Sequence, residues 1–132
     1  MTDAPKGLVI GIANEDSIAW ACAKAFHDQG AQLILTYQGE ETRRAVEALG
    51  ARIGITGFYP LDVTDTQQMD AVFTAISVEF GHLDFLLHSI AYAPTADLLG
   101  ELTNASANGF ATAMDVSCHS LIRLAKRAQP LM

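Results

Sequence analysis

Positive charge is scarce in this chain: 8 Lys and Arg stand against 15 Asp and Glu, a net charge of -7 over 132 residues. Nucleic acid is therefore excluded as an expected partner, because phosphate backbones are met by clustered Lys and Arg. Long apolar runs are missing as well. None approaches the ~18 residues that a membrane-spanning helix needs, so no membrane association is expected. The first residues, Met1-Thr2-Asp3-Ala4-Pro5-Lys6, lack the basic-then-apolar layout of a secretory signal, which leaves the cytoplasm as the expected location. There are only two cysteines, Cys22 and Cys118, with no CxxC spacing, and both are read as reduced thiols in the core. The four histidines show no HExxH or paired spacing, the acids form no metal loop, and Ser89 has no GxSxG context. His88 reads as a packed, neutral histidine. Half of the residues are hydrophobic and 17% are charged, which excludes disorder and suits one domain with a real core.

What is present is a regular alternation. Gly7–Ile12 is a continuous apolar run, as in a strand buried on both faces. Ser17 can cap the helix that follows, which reaches about Gln29 with Ile18, Ala21, Cys22, Ala25 and Phe26 on one face. A second strand spans Gln32–Tyr37, a charged helix Glu40–Leu49, and a third strand lies within Ile53–Leu61. Thr64 and Gln67 have capping-box spacing before a helix to Phe80 that faces Met69, Val72, Phe73 and Ile76 inward. Leu83–His88 is the fourth strand. From Ser106 a long helix reaches Pro130 with Phe110, Met114, Ser117, Leu121, Leu124 and Ala125 at helical spacing. Gly30, Gly50 and Gly81 each follow a helical pattern and read as helix ends. The alternation predicts an α/β fold: a doubly wound, Rossmann-type parallel sheet of strand order 3-2-1-4, with ligands at the crevice past the carboxyl ends of the first and fourth strands.

Four segments at strand ends carry candidate chemistry. Gly11-Ile12-Ala13-Asn14-Glu15-Asp16-Ser17-Ile18 ends the first strand at a helix N-terminus, where free N–H groups and a positive dipole suit a pyrophosphate. The usual GxGxxG spacing is absent, and the segment serves equally as an ordinary strand-to-helix turn. Gln38, past the second strand, can bond ribose or adenine, or simply end a strand. Asp62, past the third, can accept from an adenine amino group or form a turn. The small residues of His88-Ser89-Ile90-Ala91-Tyr92-Ala93-Pro94 make room for a flat ring, or for a tight strand exit.

Together, Gly11-x5-Ser17-Ile18-Ala19, Thr36-Tyr37-Gln38, Leu61-Asp62-Val63-Thr64, His88 to Pro94 and Met114-Asp115-Val116-Ser117 resemble the enoyl-acyl-carrier-protein reductases of bacterial fatty-acid synthesis, members of the short-chain dehydrogenase superfamily. Ordinary relatives in that superfamily carry a TGxxxGxG first turn and an Asn-Asn-Ala-Gly fourth strand end; this chain has neither. The resemblance implies a cofactor, NADH/NAD, along ten residues. Gly11 and Ala13 would line the first turn, and Ser17 and Ile18 would hold the phosphates. Gln38 would sit by the adenosine ribose, and Asp62 and Val63 would contact adenine. Ser89, Ile90 and Ala91 would run beside the inner ribose and nicotinamide. Ala93 would touch the enoyl thioester presented on acyl-carrier protein. Gln38 in place of a basic residue implies NADH rather than NADPH, with Arg43 and Arg44 nearby as a complication. A homo-oligomer, a tetramer in the family, is also implied, with the long helix as a subunit contact.

In that family a Tyr-x6-Lys pair after a fifth strand supplies the hydrogen-bond donor and the ribose-binding cation. Here Tyr37, Tyr59 and Tyr92 are followed seven residues on by Arg44, Thr66 and Leu99. No catalytic residue is therefore assigned, and the chain reads as an incomplete, N-terminal portion (1–132) of a dinucleotide-binding domain that stops before the fifth strand. Two other readings remain: a catalytically silent dinucleotide-binding or interaction module, and a short-chain oxidoreductase of different substrate.

Overall fold

Leu8 and Ile10 on one side of the first strand, and Val9 on the other, are all essentially without solvent exposure. A strand buried on both faces needs helices above and below it, and the computed structural model, which describes residues 3–132, provides them. Strand β1 (Lys6–Ile10) is followed by α1 (Ile18–Asp28), β2 (Gln32–Tyr37), α2 (Glu40–Arg52), β3 (Gly57–Pro60), α3 (Thr66–Glu79) and β4 (Phe85–His88). The strands form one sheet of order β3-β2-β1-β4. All pairings are parallel, with Leu8 beside Ile34 and Leu86, and Leu35 beside Phe58. A short helix α4 (Thr95–Leu98) lies in the loop after β4. The last segment comprises α5 (Ala107–Met114), a π-helical turn (Asp115–His119) and α6 (Ser120–Ala128). Met1 and Thr2, the start of the segment read for a signal sequence, lie outside the described residues.

Two apolar layers sandwich the sheet. Leu8, Ile10 and Ile34 pack with Met69, Val72, Phe73 and Ile76 of α3 and with Leu124 and Ala128 of α6. Val9, Leu33 and Leu35 pack with Ala19, Trp20 and Ala23 of α1 and with Val46 and Leu49 of α2. The inward face expected for α3 is the one observed.

Several local expectations are corrected. Helix α1 buries Ala19, Trp20 and Ala23, while Ile18 is 76% exposed. An alanine-rich helix is apolar on more than one face, and the indole of Trp20 decides which face turns inward. Helix α2 does not end at Gly50 but continues to Arg52, and the left-handed residue is Gly54, at φ +80°. Gly50 is inside the helix for a packing reason: a Cβ there would lie 2.5 Å from the Phe58 ring. Helix α3 is capped by Asp65, not Thr64; Asp65 Oδ1 accepts from the N–H groups of Gln67 and Gln68 at 2.9 and 3.1 Å. The long helix turns Ser120, Leu124 and Ala128 inward, leaving Phe110, Met114, Leu121 and Ile122 exposed. The inserted π turn shifts the helical phase, which a constant 3.6-residue period does not anticipate. Both cysteines are free, as expected, but Cys118 is exposed and Cys22 only half-buried, so neither is a core thiol.

Candidate functional site

The sheet positions a cleft of about 430 Å³ past the carboxyl ends of its strands. Gly11, Ala13, Gln38, Asp62, Val63, Ser89, Ile90 and Ala91 all line it. Ser17, Ile18 and Ala93, also singled out by sequence, are not among its lining residues. The cleft also uses Thr36, Thr42, Thr64, Tyr92, Thr112 and Val116. Thr112 and Val116 come from α5 and the π turn. No strand-end pattern points to them, and they join the cleft only through tertiary packing.

The first turn is shaped by Gly11, at φ +112°. A Cβ at that position would overlap the carbonyl of Ser89. Ser89 N in turn donates to Ile10 O at 3.0 Å, so the ends of β1 and β4 are locked together with bare backbone facing the crevice. Ser17 sits at the N-cap of α1, but its hydroxyl does not bond forward into the helix. Instead Oγ accepts from the N–H groups of Ala13 and Asn14, both at 3.0 Å, and so ties the turn closed from behind. The first amide bonded at this helix start is Trp20 N, to Ser17 O at 3.0 Å. Of the preceding amides, Ala19 belongs to a fully buried residue, whereas Ile18 is exposed and leaves a helix N-terminal donor with the dipole behind it.

Gln38 is exposed at the end of β2. Below it, Thr42 Oγ1 donates to Gly39 O at 3.0 Å and closes the turn into α2. Arg43 is committed elsewhere: its Nε donates to Glu47 at 2.9 Å and its guanidinium lies over the Tyr37 ring at 5.8 Å. Among the described residues, no Lys or Arg lines the cleft, and Asp62 is its one acid. Asp62 forms the turn its sequence allowed, with Oδ1 accepting from Thr64 N at 2.8 Å and Thr64 Oγ1 at 2.7 Å.

The fourth strand end is held from α5–α6. Ser117 Oγ donates to Tyr92 O at 2.9 Å and accepts from Tyr92 N at 2.8 Å. Ser120 Oγ donates to Val116 O at 2.6 Å, inside the π turn. Its one proton is thereby used, so His88 Nε2, at 2.7 Å, is the donor to Ser120. Burial pushes the His88 pKa below its ordinary value, in line with a neutral, packed imidazole. Among the described residues, no group of His, Cys, Asp and Glu could hold a metal ion, and no helix is long and apolar enough to cross a membrane.

The arrangement suits an extended ligand with a diphosphate. It offers bare backbone at Gly11, amide donors at the start of α1, polar side chains at the ends of β2 and β3, and a wall of small residues at β4.

Known proteins agree in kind. A family model described as enoyl-(acyl carrier protein) reductase matches residues 11–132. The chain is 37% identical to NADH enoyl-acyl-carrier-protein reductase 1 of Rhizobium meliloti (strain 1021) over all 132 residues, which is 48% of that relative. The reductase of Anaplasma phagocytophilum, solved in complex with NAD, superposes with a TM-score of 0.92 at 38% identity, over 96% of this chain and 48% of that one. The Bacillus cereus reductase, solved with NADP+ and an indole naphthyridinone, gives 0.93 at 37% identity, over 97% and 51%. The chain thus spans about half the length of the relatives it matches.

Proposed function

Because the chain belongs to the enoyl-(acyl carrier protein) reductase family, we propose that its cleft binds NADH and forms the cofactor-holding part of an enzyme that reduces trans-2-enoyl thioesters carried on acyl-carrier protein. The observation that carries this reading is the convergence of four strand ends on one cleft whose first turn has no room for a side chain at Gly11. Ser17 and Ile18 would hold the phosphates at the start of α1, with Ser17 also bracing the turn and Ala13 lining it. Gln38 would bond the adenosine ribose. Asp62 and Val63 would take the adenine edge. Ser89, Ile90 and Ala91 would flank the inner ribose and nicotinamide, and Ala93 would lie toward the acyl group.

When bound, NADH supplies a hydride to the β-carbon of the enoyl group. The chain's own part would be to orient the cofactor, with Ser89, Ile90 and Ala91 of the β4 wall covering one face of the nicotinamide and leaving the other open to the substrate. The enolate that develops needs a hydrogen-bond donor. The family's Tyr-x6-Lys pair is not among these 132 residues, so the chain by itself is assigned binding rather than turnover. The exposed apolar side chains of Phe110, Met114, Leu121 and Ile122 support a subunit contact, hence a homo-oligomer. Two free cysteines fit a cytoplasmic location.

Calorimetric titration tests the cofactor reading. NADH is expected to bind at least about tenfold more tightly than NADPH, since Gln38 offers no cation to a 2′-phosphate and Arg43 is held by Glu47. Failure of both dinucleotides to bind at millimolar concentration would overturn the proposal. Tighter binding of NADPH would overturn the preference.

A further inference from the structure

Arg123, on α6, was not suggested by any motif, yet its guanidinium connects the helix to the cleft. Its side chain is only 18% exposed. Nη1 donates to Asp115 Oδ1 at 2.6 Å and lies 3.0 Å from His119 Nδ1. A guanidinium has only donors, so His119 Nδ1 is the acceptor. The hydrogen bond to Arg123 holds the Asp115 carboxyl below the usual carboxylate range, so the ion pair stands at neutral pH. Both partners sit in the π turn and fix one arm of the fork. The other arm reaches across the chain: Nη2 donates to Val63 O at 2.8 Å.

That carbonyl shares a planar peptide with Thr64 N–H. The N–H end of the same plane donates to Asp62 Oδ1 at 2.8 Å. Arg123 therefore holds one end of a peptide whose other end holds the Asp62 carboxylate, and bonds arranged in such a chain polarise one another. The rest of the turn is also tied down. Asp65 N donates to Asp62 O at 2.9 Å, and Asp62 N donates to Gln68 Oε1 at 2.7 Å. Among the described residues, Asp62 Oδ2 and Val63 N–H are left without a protein partner. One is an acceptor and the other a donor, on adjacent residues of the cleft wall.

We propose that Arg123 is a positioning residue for base recognition: by clamping the Val63–Thr64 peptide it sets the acceptor–donor pair of Asp62 and Val63 that selects a 6-aminopurine over a 6-oxopurine. This rests on the proposed placement of adenine at Asp62 and Val63. An adenine edge presents an amino donor beside a ring-nitrogen acceptor, the complement of that pair. A hypoxanthine edge presents the reverse and leaves both protein groups facing like partners.

The test compares dissociation constants for NAD and for nicotinamide hypoxanthine dinucleotide, two ligands of equal charge and nearly equal shape. The unaltered protein is expected to favour NAD by about tenfold. In Arg123→Met the preference is expected to fall within about twofold, because the carboxylate and the Val63 N–H lose their fixed orientation. A role confined to holding α6 in place would weaken both ligands alike. A preference retained in full by folded Arg123→Met therefore overturns the proposal while leaving the NADH reading intact. Equal affinities in the unaltered protein overturn the adenine placement, and this proposal with it. If Arg123→Met does not fold, Arg123→Lys serves in its stead. Its ammonium keeps the charge but cannot fork to Asp115 and Val63 together, so an intermediate preference is expected and a full one overturns the proposal.

Discussion

Gly11→Val is expected to weaken NADH binding strongly and to destabilise the fold at once. The backbone at residue 11 has φ +112°, a region that a β-branched residue enters only under strain. Such strain costs about 1–3 kcal/mol. The added Cβ would also overlap the Ser89 carbonyl oxygen. Relieving that overlap separates the ends of β1 and β4, at an overpacking cost of about 1–3 kcal/mol. The displaced carbonyl belongs to the wall where the inner ribose is proposed to lie. The dissociation constant for NADH should rise at least about tenfold, the change that follows from losing even ~1.4 kcal/mol of binding, and the urea midpoint should fall. Gly30→Ala provides the comparison. Gly30 also has a positive φ, +89°, but open space where a Cβ would go, so strain alone acts there, at about 1–2 kcal/mol, and affinity is expected to stay unchanged. If Gly11→Val bound NADH like the unaltered protein, the first turn would not be part of the dinucleotide site.

The second large effect is at Trp20. It is 2% exposed and packs in the layer between the sheet and helices α1 and α2. Truncation to alanine removes the whole indole and leaves a cavity, at a cost of about 3–5 kcal/mol. Domains of this kind have only about 5–15 kcal/mol in total, so Trp20→Ala should approach global unfolding in mild denaturant. Ile18→Ala, two residues earlier, should change stability by no more than about 0.5 kcal/mol, since that side chain is 76% exposed. The pair of variants separates the observed inward face of α1 from the face that spacing alone suggests. Equal losses at both positions would mean that the helix is rotated from the orientation described.

That contrast shows where the sequence is readable. The order of strands follows from apolar runs separated by amphipathic stretches and from the handedness of parallel crossovers, and the observed β3-β2-β1-β4 sheet is the expected one. The cleft follows from the same logic. Gly11, Gln38, Asp62 and Ser89 are the first small or polar residues after apolar strands, and parallel strands bring all their carboxyl ends to one edge. What fails to show is whatever depends on the phase or the company of a helix. Helix α1 presents alanines on several sides, so periodicity does not single out the face led by Trp20. The π turn at Asp115–His119 breaks the repeat of the last helix, which is why Phe110 and Met114 point out while Val116 reaches the cleft. Thr64 and Asp65 are both good caps; the choice of Asp65 frees Thr64 to complete the turn that Asp62 begins. Arg123 and Val63 are 60 positions apart, and only the packing of α6 beside α3 and the sheet brings them together.

The central claim is that the four strand ends hold one dinucleotide, and amide hydrogen exchange with and without NADH tests it most directly. NADH addition is expected to slow exchange in four separate stretches: residues 11–19 at the first turn, 38–39 after β2, 62–64 after β3, and 89–92 after β4. The amides of 76–79 at the end of α3, which leads into the amino end of β4, should exchange at unchanged rates. Protection confined to one stretch, or absent from all four while NADH binds, would contradict the claim.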